Sequence, residues 1–326
     1  MKIAKSALLL LVLQALAFAA DPALINLLMP DARVIAGLQV DKTKDTLFGQ
    51  FVLTHMQTGD PGFQKLMADS GFDPRRDVNE IVMASSWQQA SDWLVAARGV
   101  FNPAKIFSTG LVNGGLRTSF QGVDILYTND GKQPFAERTG VAFFDSGSAV
   151  MGTMDAVKAA IHRRQSHAAA GSSTLFDKAR DVSAKNHFWF VSQVPVSEFA
   201  DAMPDPNLGG AMKGNMLQAI SQASGGVQFG PTVKISGEAV TRSDKDAAAL
   251  VDVARFLAGL VQTNRDKSKT AAGISTLLDG MEASSAGNVM TLSVAIPEAQ
   301  LEQMIQTARA ESHRAQAKPK KAPVNQ

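Results

Sequence analysis

The stretch GSAVMGT at 147–153 places two glycines five residues apart and a threonine just ahead of a helical pattern, and it is the closest approach in this chain to a phosphate-binding loop. Such a loop needs a lysine for the β and γ phosphates, and flexible residues whose backbone N–H groups can converge. Here Thr153 stands where lysine belongs, and Ala149 to Met151 reads as strand. The plainer reading is a hairpin turn with Gly147 at positive φ, then a strand, then a helix capped by Thr153.

Other chemistry-bearing residues are scattered. His162 and His167 are five apart, a spacing that does not stack them on one helical face, and no HExxH pattern exists. His187 opens an apolar strand beside Trp189, His55 has no visible partner, and His313 falls in the basic tail. No G-x-S-x-G elbow is present, and Ser85 and Ser86 end a strand rather than crossing a strand-turn-helix bend. Asp69, Asp73, Asp77 and Glu80 alternate with Arg75 and Arg76, which reads as a solvated turn without calcium-loop spacing. Met203, Met212 and Met216 surround a loop that could line an adaptable apolar groove. The chain has no cysteine, which excludes thiolate nucleophiles, Cys metal sites and disulfides. The residues therefore point to no catalytic, cofactor or metal constellation.

The elements that would position these groups follow from periodicity. Met154, Val157, Ala160 and Ile161 recur at helical spacing, with Asp155 at the positive end of the dipole and His162, Arg163 and Arg164 at the negative end. Strands such as 233–240 alternate, as a half-buried antiparallel sheet does. Three landmarks recur in order at an offset of roughly 140 to 155 residues. A strand at 33–40 answers to 187–194. A strand and helix start at 92–107 answers to 233–245, and a hairpin and helix at 141–163 answers to 281–308, with Pro297 at the first helical position. The expected fold is α+β: two degenerate copies of an antiparallel sheet unit with helices packed on one face. The expected boundaries are 1–19 for a signal peptide, 20–165 for the first unit, 166–184 for a linker and connecting helix, 185–308 for the second unit, and 309–326 for a basic disordered tail.

The ends bear on compartment. Lys2 and Lys5, an apolar run to Phe18, and Ala17 and Ala19 at positions −3 and −1 of a cut have the order of a Sec-type signal peptide. The run of about 14 residues is shorter than the roughly 20 that span a bilayer. The chain carries +2 overall, of which the leader holds +2 and the tail a net +4, so the part between is near −4. That balance argues against nucleic acid as a partner. The tail, rich in Ala, Lys, Pro and Gln, could touch anionic envelope material. Hydrophobic residues at 45% and charged residues at 19% suit a chain that builds a real core.

Three motifs together resemble a family of exported bacterial proteins catalogued only as a domain of unknown function. These are Pro30 to Ala32 leading into a strand that ends at Asp41, then Asn102 to Lys105, then Phe144 and Asp145 through Thr153 to Lys158. The second half departs from the pattern, with no Asp-Gly turn and no Ala-Lys helix start. The resemblance implies export and a repeated strand–hairpin–helix unit, and carries no catalytic residue. The expected function is a non-enzymatic binding or envelope-associated protein. The alternatives are a carrier of lipid or another apolar ligand in a sheet–helix cavity, and a hydrolase whose site is not visible in the sequence.

Overall fold

The computed structural model describes residues 20–46, 49–50, 61–87, 92–128, 134–168, 173–195, 198, 217–263, 275, 278–304 and 306–307. In chain order the elements up to residue 120 are α1 (Pro22–Ile25), β1 (Val34–Gln39), α2 (Val40–Thr43), α3 (Pro61–Ser70), α4 (Pro74–Asp77), β2 (Val78–Ser85), β3 (Trp93–Gly99), α5 (Pro103–Val112) and β4 (Leu116–Phe120). There follow β5 (Val123–Tyr127), β6 (Thr139–Phe143), β7 (Ser148–Thr153), α6 (Met154–Ser166), α7 (Thr174–Ser183), β8 (Phe188–Ser192) and β9 (Ile220–Gln228). The chain divides into two compact units, one ending at Gln228 and one starting at Phe229.

In the first unit the strands lie in the order β9-β8-β1-β2-β3-β7-β6-β5-β4. Alternation along each strand sends side chains to opposite faces. The registers place Gly37, Val82, Ala96, Val150, Ala142 and Ile125 in one row across six strands. That face is covered by Met154, Val157, Ala160 and Ile161 of α6, by Leu175, Phe176, Ala179 and Val182 of α7, and by Leu24, Ile25 and Leu28. Burying a side chain such as Phe176 or Ile161 contributes about 1.5–3 kcal/mol. The opposite face holds Leu38, Ala149 and Phe101, with Ile81, Ala97, Phe143 and Phe188 packed against them. On that side Gly110 of α5 lies so close to Leu126 that a Cβ there would stand 2.3 Å from its Cδ2.

Helix limits follow local chemistry. Asn102 caps α5 by accepting the Lys105 N–H, and Pro103 supplies the preset φ of the first turn. Helix α6 ends at His167, whose φ of 52° is left-handed. No helix among the described residues is long and apolar enough to cross a membrane.

The second unit contains β10 (Thr232–Thr241), α8 (Asp244–Thr263), β11 (Glu282–Ala286) and β12 (Val289–Pro297). Its strands lie in the order β11-β12-β10. The β11–β12 turn has Gly287 at φ 55°, and Asn288 donates from Nδ2 to the Thr241 carbonyl. Pro297 closes β12, opposite Thr232, and helix begins at residue 298 rather than at the proline.

The expectation of two sheet units, each a copy with helices on one face, is corrected. β8, assigned above to a second copy, hydrogen-bonds to β1 from Val34↔Ser192 to Leu38↔Phe188, and β9 pairs with β8. These strands extend one sheet instead of starting another, and side chains pack on both of its faces. The physical reason is that β8 is apolar on both sides, with Phe188 and Phe190 facing one way and Trp189 and Val191 the other. Such a strand suits the interior of a long sheet, and its composition does not say which neighbour satisfies its backbone.

Candidate functional site

The turn between β6 and β7 is built on Asp145. Its Oδ1 accepts the Gly147 N–H at 2.7 Å and the Ser148 hydroxyl at 2.9 Å. Burial pushes this carboxyl up, but those hydrogen bonds, with Ser148 N–H and the Arg164 charge, outweigh it and hold the pKa below the usual carboxylate range. The Gly147 carbonyl accepts from Gly99 N–H and that of Ser146 from Phe101 N–H, which ties the turn to the end of β3. Gly147 is not among the described residues with positive φ, so the hairpin expectation is corrected there: the aspartate, not a left-handed glycine, shapes the bend. Gly152 sits inside the sheet, where a Cβ would stand 2.4 Å from the Trp93 carbonyl oxygen. Thr153 holds the N-cap position of α6, yet its hydroxyl makes no capping bond and is buried without a hydrogen-bond partner.

Beside this turn lies a buried carboxylate. Glu80 and Arg98 are register partners on β2 and β3, and Arg98 is in turn opposite Ser148 on β7. Arg98 Nη2 donates to Glu80 Oε2 at 3.2 Å, and Asp21 N–H donates to Glu80 Oε1 at 3.1 Å. The Glu80 side chain is 4% exposed. Burial pushes its pKa up, an effect eased by the Asp21 N–H and the Arg98 charge. Asp21 itself caps α1 by accepting the Ala23 N–H, and its Oδ2 stands 3.8 Å from Arg98 Nε. Arg163 fixes the turn after α1 by donating from Nε and Nη2 to the Leu27 carbonyl.

These parts border an open cleft of about 410 Å³, lined by Asp21, Leu24, Leu27, Arg98, Asp145 and Arg164 among others. Arg164 Nη2 stands 3.7 Å from Asp145 Oδ2, and its guanidinium lies 5.6 Å over the Phe144 ring. The arrangement offers two guanidinium groups, two partly exposed carboxylates and a floor of leucine. It suits charge recognition. For nucleophilic chemistry Ser148 is poorly placed, since its hydroxyl donates to a carboxylate of depressed pKa, a weak base.

The residues singled out in the sequence fall elsewhere. His162 meets Gln121 on the surface at 3.2 Å, and His167 terminates α6. His187 is buried; burial first, then the nearby Lys42 charge, lowers its pKa. Ser85 donates to the Asp92 carbonyl and Ser86 to the Asp92 carboxylate. Asp73 pairs with Arg75 and Asp77 with Arg76 around α4, as a solvated turn should. Glu80 does not belong with them. Among the described residues no group of three or more His, Asp or Glu side chains could hold a metal ion. His55, His313, Met203, Met212, Met216 and the expected cleavage-site residues Ala17 and Ala19 lie outside the described residues.

Sequence reasoning missed Asp21, Arg98 and Arg164 as partners and misread Glu80. A signal for Glu80 existed: it takes an inward position of β2, in phase with buried Val78, Val82 and Ala84. No family model matches the chain, and neither does any curated protein or any solved structure compared with it.

Proposed function

We propose that this chain is an exported, non-enzymatic binding protein that holds a small charged ligand in the cleft between α1 and the β6–β7 turn. The observation that supports the reading is the cleft wall: Arg98 and Arg164, with Asp21 and Asp145, converge on one space of about 410 Å³. Convergent polar groups over an apolar floor are the general make-up of a small-molecule site. The leader supports export, and the resemblance to an exported family supports the same reading. An apolar ligand would cover the charged groups of this cleft without giving them partners, which disfavours the carrier reading here.

The test is native mass spectrometry of the protein purified without denaturation from its producing cells, alone and after incubation with a polar small-molecule extract. The expected result is a bound small polar species that Arg98→Gln loses. A co-purified lipid unaffected by that substitution would overturn the proposal in favour of the carrier.

A further inference from the structure

The two guanidinium groups of the cleft are only partly used by the protein. Arg98 donates to Glu80 and stands 3.8 Å from Asp21, while Arg164 stands 3.7 Å from Asp145. Both of those carboxylate separations exceed a hydrogen bond. Both side chains are about half exposed, at 50% and 44%. Each guanidinium carries five N–H donors in a planar fork, so donors on both remain for a ligand.

Each neighbouring carboxylate presents only its Oδ2 to an arginine, at 3.8 Å for Asp21 and 3.7 Å for Asp145, because its Oδ1 is taken by the chain around it. Asp145 Oδ1 accepts from the Gly147 N–H and the Ser148 hydroxyl, and Asp21 Oδ1 from the Ala23 N–H, so neither carboxylate can offer both oxygens to a guanidinium fork. One contiguous wall links the arginines: Ser148 is the register partner of Arg98, and its hydroxyl bonds the carboxylate that faces Arg164. Leu24 and Leu27 line the same space, and apolar lining strengthens charge interactions by lowering the local dielectric.

Resting on the reading of this cleft as a ligand site, we propose that the group it recognises is an oxyanion, the phosphate or carboxylate of a small molecule, held between Arg98 and Arg164. Charge-assisted bonds from two forks fix both the position and the orientation of such a group.

The experiment follows the arginine Nε–H signals of the purified full chain by NMR while inorganic phosphate, acetate or 1,4-diaminobutane is added at constant ionic strength. The Arg98 and Arg164 signals should move together and saturate with phosphate or with acetate, and the stronger of the two names the source. Arg98→Gln and Arg164→Gln should each weaken that binding at least tenfold. Arg117→Gln, on β4 at the far edge of the sheet, should leave it unchanged. If Arg98→Gln perturbs the fold through Glu80, the half-exposed Arg164 alone carries the test. Equal weakening by Arg117→Gln would overturn the proposal as non-specific charge attraction. If both anions leave the two arginines unmoved while the diamine shifts the Gly147 and Ser148 amides, the oxyanion proposal fails and the ligand site stands. If none of the three probes moves a cleft signal, both fail.

Discussion

The indole ring of Trp189 occupies the space that a side chain at position 37 would need. The two residues are register partners on β8 and β1, and a Cβ on Gly37 would stand 2.5 Å from Trp189 Cε2 and Cζ2. Trp189 is 1% exposed, so the ring has nowhere to retreat. Gly37→Ala should therefore cost about 1–3 kcal/mol by overpacking. Urea unfolding checks the value. The double substitution Gly37→Ala with Trp189→Leu should lose less than the two single losses added together, because each single change acts on the same contact. Strict additivity would show that the ring and the glycine do not meet.

Glu80 makes stability depend on pH in an unusual direction. Its folded pKa is raised, so the folded state holds the proton more tightly than the unfolded chain. The contribution favouring the fold is complete below the ordinary 4.5 and is lost as pH rises through the folded value. Subtracting the urea midpoints of Glu80→Gln from those of the wild type, from pH 4 to pH 7, should give a difference that declines with rising pH. A flat difference would mean that burial does not govern this carboxyl.

His187 should act with the opposite sign. Its folded pKa is depressed, so its contribution is complete above the ordinary 6.5 and is lost as pH falls through the folded value. The difference between wild type and His187→Gln should thus fall on acidification from pH 7 to pH 5. Guanidinium titrations at fixed ionic strength measure it, and a difference that grows on acidification would refute the assignment.

The proposed export predicts a cut after Ala19, so amino-terminal sequencing of protein recovered from outside the cytoplasm should read Ala20, Asp21, Pro22. Replacing Ala17 or Ala19 with Asp should leave the precursor uncut. A cut two residues later would remove the Asp21 cap on α1 and its N–H bond to Glu80. Asp21→Ala, which keeps the N–H bond to Glu80 but loses the cap and the weak, partly exposed ion pair with Arg98, should cost about 1 kcal/mol.

Much of the region from 139 to 167 was legible in the sequence. The strands β6 and β7 cover the segments read as strand in the hairpin, and Met154, Val157, Ala160 and Ile161 all reach the core as their helical spacing requires. The start of α5 at Asn102 and Pro103 was legible for the same local reason. What escaped was non-local. The pairing of β8 with β1 depends on backbone groups some 150 residues apart, which no periodicity records. The cleft escaped because Asp21, Arg98, Asp145 and Arg164 come from four separate places in the chain, each of which reads as an ordinary surface charge. Only the register of β2, β3 and β7 brings Glu80, Arg98 and Ser148 side by side.

The position of β1 between β2 and β8 also sets a timetable. Along one edge β1 meets β2, about 45 residues downstream, but its other edge waits for residues 188–192. Closing so long a loop is entropically slow, and sheets rich in such distant pairings fold slowly. A chain that emerges amino terminus first would hold one side of its first strand open until well over half of its length had followed. During that interval the exposed edge can pair with another chain, and a holding chaperone that covers it would prevent this.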